Sequence, residues 1–329
     1  MEKTYDLIAI GDTVVDVFIK LNVGHVQETA NGAELCLPYG AKVPYESATP
    51  VPAVGNSANA AVSASRLGLS SALIAFVGKD EHGEECLTRL KEENVGVEFM
   101  SQEEGKSTNY HYVLWHGSDR TILIKHSDFL EKLPENLTPP KWLYLSSLGA
   151  HTEAFHDEIS DYVIAHPDVK LAFQPGTFQL QAGDTLAEIY KHTEVVCMNK
   201  EEAQGLLQTN EHEIKILLDA LQNFGPKTVI ITDGAEGAYM KYDNTYFNMP
   251  IYPDIAQPVE RTGAGDAFFS TFVAYLAKGY DAPYAIRRAP INSMNVVQHV
   301  GAQEGLLSES EIEEYLKKAP ENYKLTILE

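Results

Sequence analysis

The chain has 329 residues, with 47 acidic and 25 basic side chains and a formal net charge of −22. This length suits one large α/β domain with an accessory piece, or two smaller domains, and a hydrophobic content of 44% indicates a folded core. Nucleic acids and anionic membranes are polyanions, so the negative charge argues against either as the main partner.

The cysteines and the N-terminal segment indicate the compartment. Cys36, Cys86 and Cys197 form neither a CxxC pair nor a disulfide framework. The first residues lack the basic segment and long apolar core of a signal peptide, and no apolar run reaches the ~20 residues of a membrane span. We therefore expect a cytoplasmic protein that does not enter a membrane.

The first half of the chain predicts strands and helices of irregular order. In chain order these are strands at 5–10 and 14–21, short extended pieces at 34–37 and 41–45, a helix at 56–67, a strand at 71–77, a helix at 80–93, and a hairpin of 110–115 with 121–125.

From residue 142 onward, apolar strands alternate with helices. The strands are expected at 142–145, 170–173, 195–198 and 228–232, the helices at 153–165, 184–191, 200–207 and 211–223, a hairpin at 236–241 with 245–249, and three closing helices at 264–278, 282–299 and 309–319. This alternation predicts one α/β domain over 1–329, a doubly wound, mostly parallel sheet flanked by helices. The segments at about 14–50 and 108–126 interrupt it and predict a small β-sheet lid.

The segment RTGAGDAF at 261–268 is the strongest local motif. A turn with Gly263 and Gly265 leads directly into an apolar helix, whose unpaired N–H groups and positive dipole end favour a bound anion. A carboxylate beside a bound phosphate is repelled by it, so Asp266 suggests a proton acceptor for an attacking hydroxyl. The alternative is a first-turn acid that only complements the helix dipole, and this segment alone leaves both open.

Two further motifs are open to a functional and a structural interpretation. Asn199 and Glu202 follow a predicted strand, so both can face one cleft, where oxygen ligands would suit Mg²⁺. Their spacing is also that of a helix-capping box. Gly234 and Gly237 follow another strand. They form either a tight turn beside a nucleotide or the turn of an ordinary hairpin. Asp16 is a candidate for binding sugar hydroxyls or an exposed acid on an edge strand.

Together these motifs resemble the ribokinase/PfkB family of sugar and nucleoside kinases. The matching segments occur in the family's order over about three hundred residues: GDTVVD at 11–16, GNSANAA at 55–61, GKDEHG at 78–83, NKEE at 199–202, TDGAEG at 232–237, TGAGDAF at 262–268 and GA at 301–302.

The resemblance implies an ATP-dependent, Mg²⁺-requiring kinase that phosphorylates a hydroxyl, expected to be a primary alcohol of a small sugar, with a monovalent cation such as K⁺ as a further candidate. It also implies a homodimer formed through the lid. The alternatives are a nucleoside kinase of the same family and a binding protein that has lost catalysis. The implied residues are Asp266 with Gly263, Ala264 and Gly265 for catalysis, Asp12, Asp16, Gly55, Asn56 and Asn59 for the substrate, Asn199, Thr232, Gly234, Gly237, Thr262 and Asn295 for the nucleotide, and Glu202 for the metal.

The chain departs from the family pattern at several positions. Val54 replaces one glycine of the N-terminal signature, and Glu260 with Arg261 precedes the C-terminal signature. Arg261 is either a cation near the transferred phosphate or the partner of a surface acid. Gln174-Pro175-Gly176 stands where sugar kinases often carry Asp-Pro-Asn, and this leaves the substrate open.

Other chemistries fit less well. Phe268 occupies the third glycine position of a dinucleotide-binding motif, which argues against a dehydrogenase. No HExxH or HxH pair occurs, so His111 and His116 are expected to be solvated or core histidines. Arg120 lies in the predicted lid hairpin, where it either contacts the substrate or is a solvated charge in the turn.

Overall fold

The structure is a computed structural model, and it describes residues 4–29, 32–117, 119–259 and 261–328. In chain order the strands are β1 (Leu7–Ile10), β2 (Val14–Leu21), β3 (His25–Thr29), β4 (Gly32–Cys36), β5 (Tyr45–Val54), β6 (Ser71–Ile74), β7 (Phe76–Gly78), β8 (Ser101–Glu103), β9 (Tyr110–His116), β10 (Asp119–Leu123), β11 (Trp142–Leu145), β12 (Lys170–Phe173), β13 (Thr193–Asn199), β14 (Thr228–Thr232), β15 (Ala238–Tyr242), β16 (Thr245–Met249) and β17 (Thr326–Ile327).

The helices are α1 (Asn56–Arg66), α2 (Glu81–Glu92), α3 (Glu153–Ala165), α4 (Thr177–Ala182), α5 (Ala187–Lys191), α6 (Lys200–Leu206), α7 (Ile214–Gln222), α8 (Ala264–Ala277), α9 (Ala282–Ile286), α10 (Ala289–Val296) and α11 (Glu309–Lys317). Among the described residues, no helix is long and apolar enough to cross a membrane.

A nine-stranded sheet forms the centre of the fold, in the order β17-β16-β15-β14-β13-β12-β11-β1-β6. The six strands from β14 to β6 in this order are parallel, and β15 to β17 extend the sheet antiparallel. In β1, Leu7 and Ala9 pack into the core on one face while Ile8 and Ile10 pack into the core on the other. Helices therefore cover both faces, which is why the strands read as continuous apolar runs. The predicted α/β, doubly wound, mostly parallel sheet is confirmed.

The order in which strands are added to the sheet reverses at β1. Strand β6 pairs with one side of β1, and the next parallel strand, β11, pairs with the other side. In open α/β sheets, ligands bind in the crevice at the carboxyl ends of the strands where the order reverses. This relationship places the crevice at the residues that follow β1, β11 and β12.

A small four-stranded sheet, in the order β10-β9-β2-β5, lies beside the central sheet. Strand β2 pairs parallel to β9 and antiparallel to β5, and the hairpin of β3 and β4 branches from the same segment. We refer to the four-stranded sheet as the lid sheet. The assignment of the whole chain to one domain with this sheet as its lid stays a prediction.

Several predicted elements differ from the structure for identifiable reasons. The expected strand at 41–45 is wrong: the strand is β5, which tolerates Pro50 and Pro52 because it is the edge of the lid sheet. The expected strand at 71–77 divides into β6 and β7, because β7 leaves the central sheet to pair with β8. The expected helix at 282–299 divides into α9 and α10, and Pro290 lies in the first turn of the second helix, where proline is tolerated.

Candidate active site

The first turn of α8 presents backbone N–H groups without a side-chain cap. Gly263 occupies the N-cap with φ +79°, and a Cβ there would lie 2.7 Å from Cα of Ala302. Glycine is therefore required for both the left-handed backbone and the close approach. The N–H groups of Ala264, Gly265 and Asp266 lie in this first turn, where a helix leaves them without intrahelical partners, and an anion cradle there stays a prediction.

The carboxylate of Asp266 is held by two side-chain amides from opposite parts of the chain. Asn59 Nδ2 on α1 donates to Oδ2 over 2.8 Å, and Gln174 Nε2, directly after β12, donates to Oδ1 over 3.0 Å. Burial raises the pKa of Asp266, and the two hydrogen bonds lower it by stabilising the anion. The competition between these effects sets the acidity of the carboxylate.

Each amide is in turn oriented by a further buried group. Gln303 Nε2 donates to Oδ1 of Asn59 over 3.0 Å and to the carbonyl oxygen of Ala53 over 2.6 Å. The hydroxyl of Tyr144 donates to Oε1 of Gln174. Because both amide oxygens are occupied as acceptors, the N–H groups of both amides face Asp266.

Asp12, Gly55 and Asn56 lie at the carboxyl end of β1. The N–H of Asp12 donates to Ser147 O over 2.9 Å, and its carbonyl accepts from Ser57 Oγ at 2.9 Å. Gly55, at φ +117°, would place a Cβ 2.5 Å from Asp12 O, and Asn56 begins α1 directly after it. Burial, followed by the negative charge of Glu131, raises the pKa of Asp12 to about 7.

Asp16 lies on the lid sheet and faces a histidine. It pairs in register with His111 of β9, and His111 Nδ1 lies 3.4 Å from Asp16 Oδ1. His126 Nδ1 lies 3.5 Å from Oδ2 of Asp12. His111 thus lies against a candidate substrate-binding acid, and its expected role as a solvated or core histidine stays a prediction. Arg120 lies in β10 opposite Trp115, not in a turn.

Asn199 and Glu202 form a complete capping box at the start of α6. Asn199 Oδ1 accepts from Glu202 N, and Glu202 Oε2 accepts from Asn199 N, both over 2.8 Å. Burial raises the pKa of Glu202, and the negative charges of Glu201 and Asp266 add to it. The motif therefore caps helix α6, and the negative charge of Asp266 acts on the Glu202 carboxylate.

A cavity of about 310 Å³ lies between the first turn of α8 and the turn that follows β14. Its polar and apolar lining comes from the turn after β14, the start of α8, α10 and the segment before it: Thr232, Gly234, Ala235, Gly237, Ala238, Ile251, Tyr252, Asp254, Pro258, Arg261, Ala264, Gly265, Phe268, Pro290, Ser293, Met294 and Val297. A mostly apolar cavity with a few polar groups suits a nucleotide base and ribose. Lys200 Nζ binds Asp233 Oδ2 over 2.8 Å and ties the turn to α6.

Of Asn295, Thr262 and Arg261, which the sequence places near the nucleotide or the phosphate, only Arg261 is among the described residues that line this cavity. Asn295 is not among the described residues that line it, and its amide instead donates to Gly305 O over 2.8 Å. Thr262 directly precedes the N-cap Gly263, and Arg261 contributes to the lining. Glu260 lies outside the described residues, as does Ser118 in the predicted hairpin.

Sequence reasoning did not assign Gln174, Tyr144, Gln303 or His126 to the site. Gln174 was visible as a departure from the family pattern, which is a usable signal. Tyr144 reads as one apolar residue of a buried strand, and Gln303 and His126 stand in loops without a motif. Their roles depend on contacts between segments distant in sequence.

Comparison with known proteins identifies the family of the chain. A family model described as pfkB family carbohydrate kinase matches residues 24–309. The ribokinase of Bacillus subtilis is 28% identical over 276 residues, covering 80% of this chain and 87% of its own. The ATP-dependent 6-phosphofructokinase of Thermoanaerobacterium thermosaccharolyticum is 25% identical over 324 residues, covering 92% and 90%. A nucleoside kinase of Methanocaldococcus jannaschii is 24% identical over 274 residues, covering 80% and 85%.

Solved structures show the same fold. Arabidopsis thaliana ribokinase complexed with ribose and ATP superposes with a TM-score of 0.79 at 18% identity, covering 96% of this chain and 99% of that one. A putative ribokinase II from E. coli, in complex with ATP and Mg²⁺, gives 0.77 at 20% identity, covering 96% and 100%. At these identities the likeness establishes the ribokinase fold.

The family model and the curated relatives define the class of protein as an ATP-dependent kinase. The chain belongs to the pfkB family of carbohydrate kinases, as a sugar or nucleoside kinase. ATP and Mg²⁺ are the cofactors that this family implies.

Proposed function

We propose that the protein transfers the terminal phosphate of ATP to a primary hydroxyl of a small sugar, with Asp266 as the general base. One observation carries this proposal. The Asp266 carboxylate stands at the α8 turn, whose first residues line the nucleotide cavity, and it is bonded to Asn59, on the helix that begins beside Asp12.

The α8 turn performs two tasks in this proposal. The N–H groups of Ala264, Gly265 and Asp266 hold the phosphate and stabilise the charge that develops on its oxygens. The Asp266 carboxylate accepts the proton of the attacking hydroxyl as the oxygen bonds to phosphorus. Asn59 and Gln174 keep the carboxylate directed at the acceptor while it is ionised.

The lid sheet excludes water from the reacting groups. Asp16 and His111 project from it beside Asp12, so closure of the sheet over a bound sugar covers the acceptor hydroxyl. Exclusion of water prevents hydrolysis of ATP in place of transfer.

Glu202 is the residue that would bind Mg²⁺, which supplies charge neutralisation of the phosphates when bound. The capping box uses only Oε2 of Glu202, which leaves Oε1 for the cation or its water. In the described part of the chain, no group of three or more His, Cys, Asp and Glu side chains could hold a metal ion. This fits Mg²⁺, because that ion keeps several waters and binds phosphate oxygens. A K⁺ site is a further proposal, based on the resemblance.

Two classes of acceptor, a sugar and a nucleoside, are compatible with the proposed chemistry. A nucleoside offers the same primary hydroxyl, and one relative at 24% identity is named a nucleoside kinase. We favour a sugar because the side chains at the acceptor end are carboxylates and imidazoles, which bind hydroxyls. Thr262, Asn199 and Asn295 stay proposed nucleotide residues, and a cytoplasmic homodimer formed through the lid stays a prediction.

Release of ADP across a panel of ribose, fructose, adenosine and cytidine tests the proposal. The expected result is turnover of a sugar with formation of its phosphate ester. Turnover of a nucleoside alone would favour the competing acceptor. ATP binding without transfer to any of the four would favour a protein that has lost catalysis.

A further inference from the structure

The side-chain amide of Gln303 connects three segments around the Asp266 carboxylate. Its Nε2 donates to the carbonyl oxygen of Ala53 over 2.6 Å and to Oδ1 of Asn59 over 3.0 Å. Asn59 Nδ2 in turn donates to Oδ2 of Asp266 over 2.8 Å. Gln303 is 2% exposed and Asn59 is 3% exposed. The series therefore lies in the interior, where a hydrogen bond that is lost leaves a polar group unsatisfied.

The carbonyl of Ala53 determines the direction of every hydrogen bond in this series. A carbonyl oxygen only accepts, so the amide of Gln303 must turn its nitrogen toward Ala53. The same nitrogen then faces Asn59, which must present its oxygen to Gln303 and keep its own nitrogen for Asp266. Gln303 thus determines whether Asn59 offers the carboxylate a donor or a second acceptor.

Arg66 holds the backbone at Gln303 from the far end of the helix that carries Asn59. The two residues are about two helical turns apart on α1, so both side chains project from one face. Arg66 Nη1 donates to Gln303 O over 2.8 Å and to Leu306 O over 2.9 Å. The guanidinium therefore fixes the segment 303–306 against that face of α1.

The position of Arg66 is fixed by an ion pair that a second arginine shares. Arg66 Nε and Nη2 donate to the two carboxylate oxygens of Glu93 over 2.9 and 2.8 Å. Arg89 Nη2 lies 2.8 Å from Oε1 of the same carboxylate. Hydrogen bonding to Arg66 lowers the pKa of Glu93, so the pair stays ionised near neutral pH. Within the described residues, Arg66 is the one of the two arginines that also bonds to the segment 303–306.

We propose that Arg66 and Gln303 are positioning residues for phosphoryl transfer: Arg66 fixes the backbone at Gln303, and Gln303 turns the amide of Asn59 so that its N–H meets the Asp266 carboxylate. This inference rests on the proposed role of Asp266 as the general base. In the described part of the chain, the side-chain amides that donate to Asp266 belong to Asn59 and Gln174, so Arg66 and Gln303 act through another side chain. A reversed Asn59 would place an oxygen against the carboxylate and destabilise its ionised form.

The first test measures the pKa of the Asp266 carboxyl directly, from the pH titration of its ¹³C chemical shift, with Asp266→Asn to assign the signal. Gln303→Leu removes the amide at similar size, so the titration midpoint should move to higher pH by about 1, the effect of one weakened hydrogen bond to an ion. Arg66→Ala should move it in the same direction and by less, because Gln303 keeps its amide. Arg66→Lys keeps the charge without the forked geometry, so its shift should be smaller still.

Arg89→Ala is the matched control for Arg66→Ala. The two arginine side chains are 23% and 27% exposed, and removal of either leaves Glu93 with the other as its partner. The two variants therefore differ in the hydrogen bonds to the segment 303–306. The midpoint of Asp266 should stay unchanged in Arg89→Ala. Equal shifts in the two alanine variants, or no shift in Gln303→Leu, would overturn the proposal.

The second test is the pH dependence of kcat/KM for the sugar. A displaced base loses activity mainly on the acidic side, whereas a general loss of folded enzyme lowers the rate equally at every pH. In Gln303→Leu, kcat should fall about tenfold and the acid limb should move to higher pH. A uniform loss at every pH would overturn the proposal.

Other titratable groups near Asp266 do not account for such a shift. Burial raises the pKa of Tyr144 and of Cys197 well above the usual values, so both stay neutral over the acid limb. Burial also raises the pKa of Glu202, whose carboxylate bonds to Asn199 at the start of α6, away from the segment 303–306. The Arg66 and Gln303 variants leave these three groups in place.

The two proposals can fail separately. If Asp266→Asn retains the native kcat, the proposed function fails, and the ¹³C titration still tests whether Arg66 and Gln303 orient Asn59. If Asp266→Asn loses its activity but the midpoint is the same in Gln303→Leu, Arg66→Ala and the native protein, the positioning proposal fails alone.

Discussion

Asn59 on α1 donates a hydrogen bond to Asp266 at the start of α8 over 2.8 Å, although the two residues are 207 positions apart in the chain. The contact joins the helix that begins at the proposed acceptor end to the helix that begins at the proposed nucleotide cavity. Gln174 completes the arrangement from the end of β12. The carboxylate thus lies where three distant segments meet.

Gln174→Leu tests whether this arrangement sets the acidity of Asp266. Loss of the Gln174 hydrogen bond removes a group that stabilises the anion, so the pKa of Asp266 should rise further. The acid limb of kcat/KM should then move to higher pH, with the largest loss of activity on the acidic side. Tyr144→Phe should move it in the same direction and by less, since Gln174 keeps its N–H.

Gln222→Leu is the control for this pH profile, because Gln222 donates to Lys227 O at the surface. A uniform loss of activity at every pH in Gln174→Leu would show that Gln174 supports the fold and does not position the base.

Gly263→Ala tests the geometry of the α8 turn. The added Cβ would meet Ala302, so the turn must shift and its N–H groups must leave their positions. We expect a raised KM for ATP and a loss of stability larger than the ~1–2 kcal/mol that left-handed backbone alone costs a non-glycine residue. Gly279→Ala is the matched control, since Gly279 has φ +92° with no atom within 4 Å. Equal effects of the two variants on ATP binding would contradict the proposed role.

Glu202→Gln tests the metal role apart from the capping role. Glutamine at the third helical position retains the capping box, so the melting temperature should change little. The Mg²⁺ concentration required for half-maximal activity should rise, because the carboxylate charge is lost. The control is Glu311→Gln in the equivalent capping box of α11 with Ser308, measured in the same Mg²⁺ titration. Indistinguishable Mg²⁺ dependence in both variants would leave Glu202 with its capping role alone.

Asp12→Asn tests the buried acid through the pH dependence of stability. The pKa of Asp12 is raised from 3.8 to about 7 in the folded protein. The folded state therefore holds this proton more tightly, and the stability it contributes below about pH 4 is lost as pH rises to about 7.

Asparagine does not titrate, so the stability of the variant relative to the native protein should increase over that range and then level off. Urea denaturation from about pH 4 to pH 8 measures this difference. A difference that does not change with pH over this range would contradict the raised pKa of Asp12.

Local sequence patterns predict the parallel strands well and the site only in part. Strand β14 and helix α3 occur at the predicted residues, because a buried run or an amphipathic period determines each locally. Helix α10 begins as a separate helix at Ala289, with Pro290 in its first turn, where the apolar pattern alone favoured one continuous helix.

Sequence motifs mark Asp266 and Asn59, which the structure brings into contact, while their roles stay predictions. No motif marks Gln303 or Tyr144, because each orients an amide of another segment. His126 likewise acquires its role only when the loop after β10 packs against Asp12. Such contacts depend on tertiary structure and leave no spacing in the sequence.

The most direct test of the account is the turnover of Asp266→Asn with ATP and the preferred sugar, measured together with the binding of each ligand. Asparagine keeps the shape of the side chain and removes the proton acceptor, so kcat should fall by about 10²–10⁴-fold while ATP and sugar binding stay near the native values. A kcat within a few-fold of the native enzyme, or a loss of ATP binding as large as the loss of rate, would contradict the assignment of Asp266 as the base.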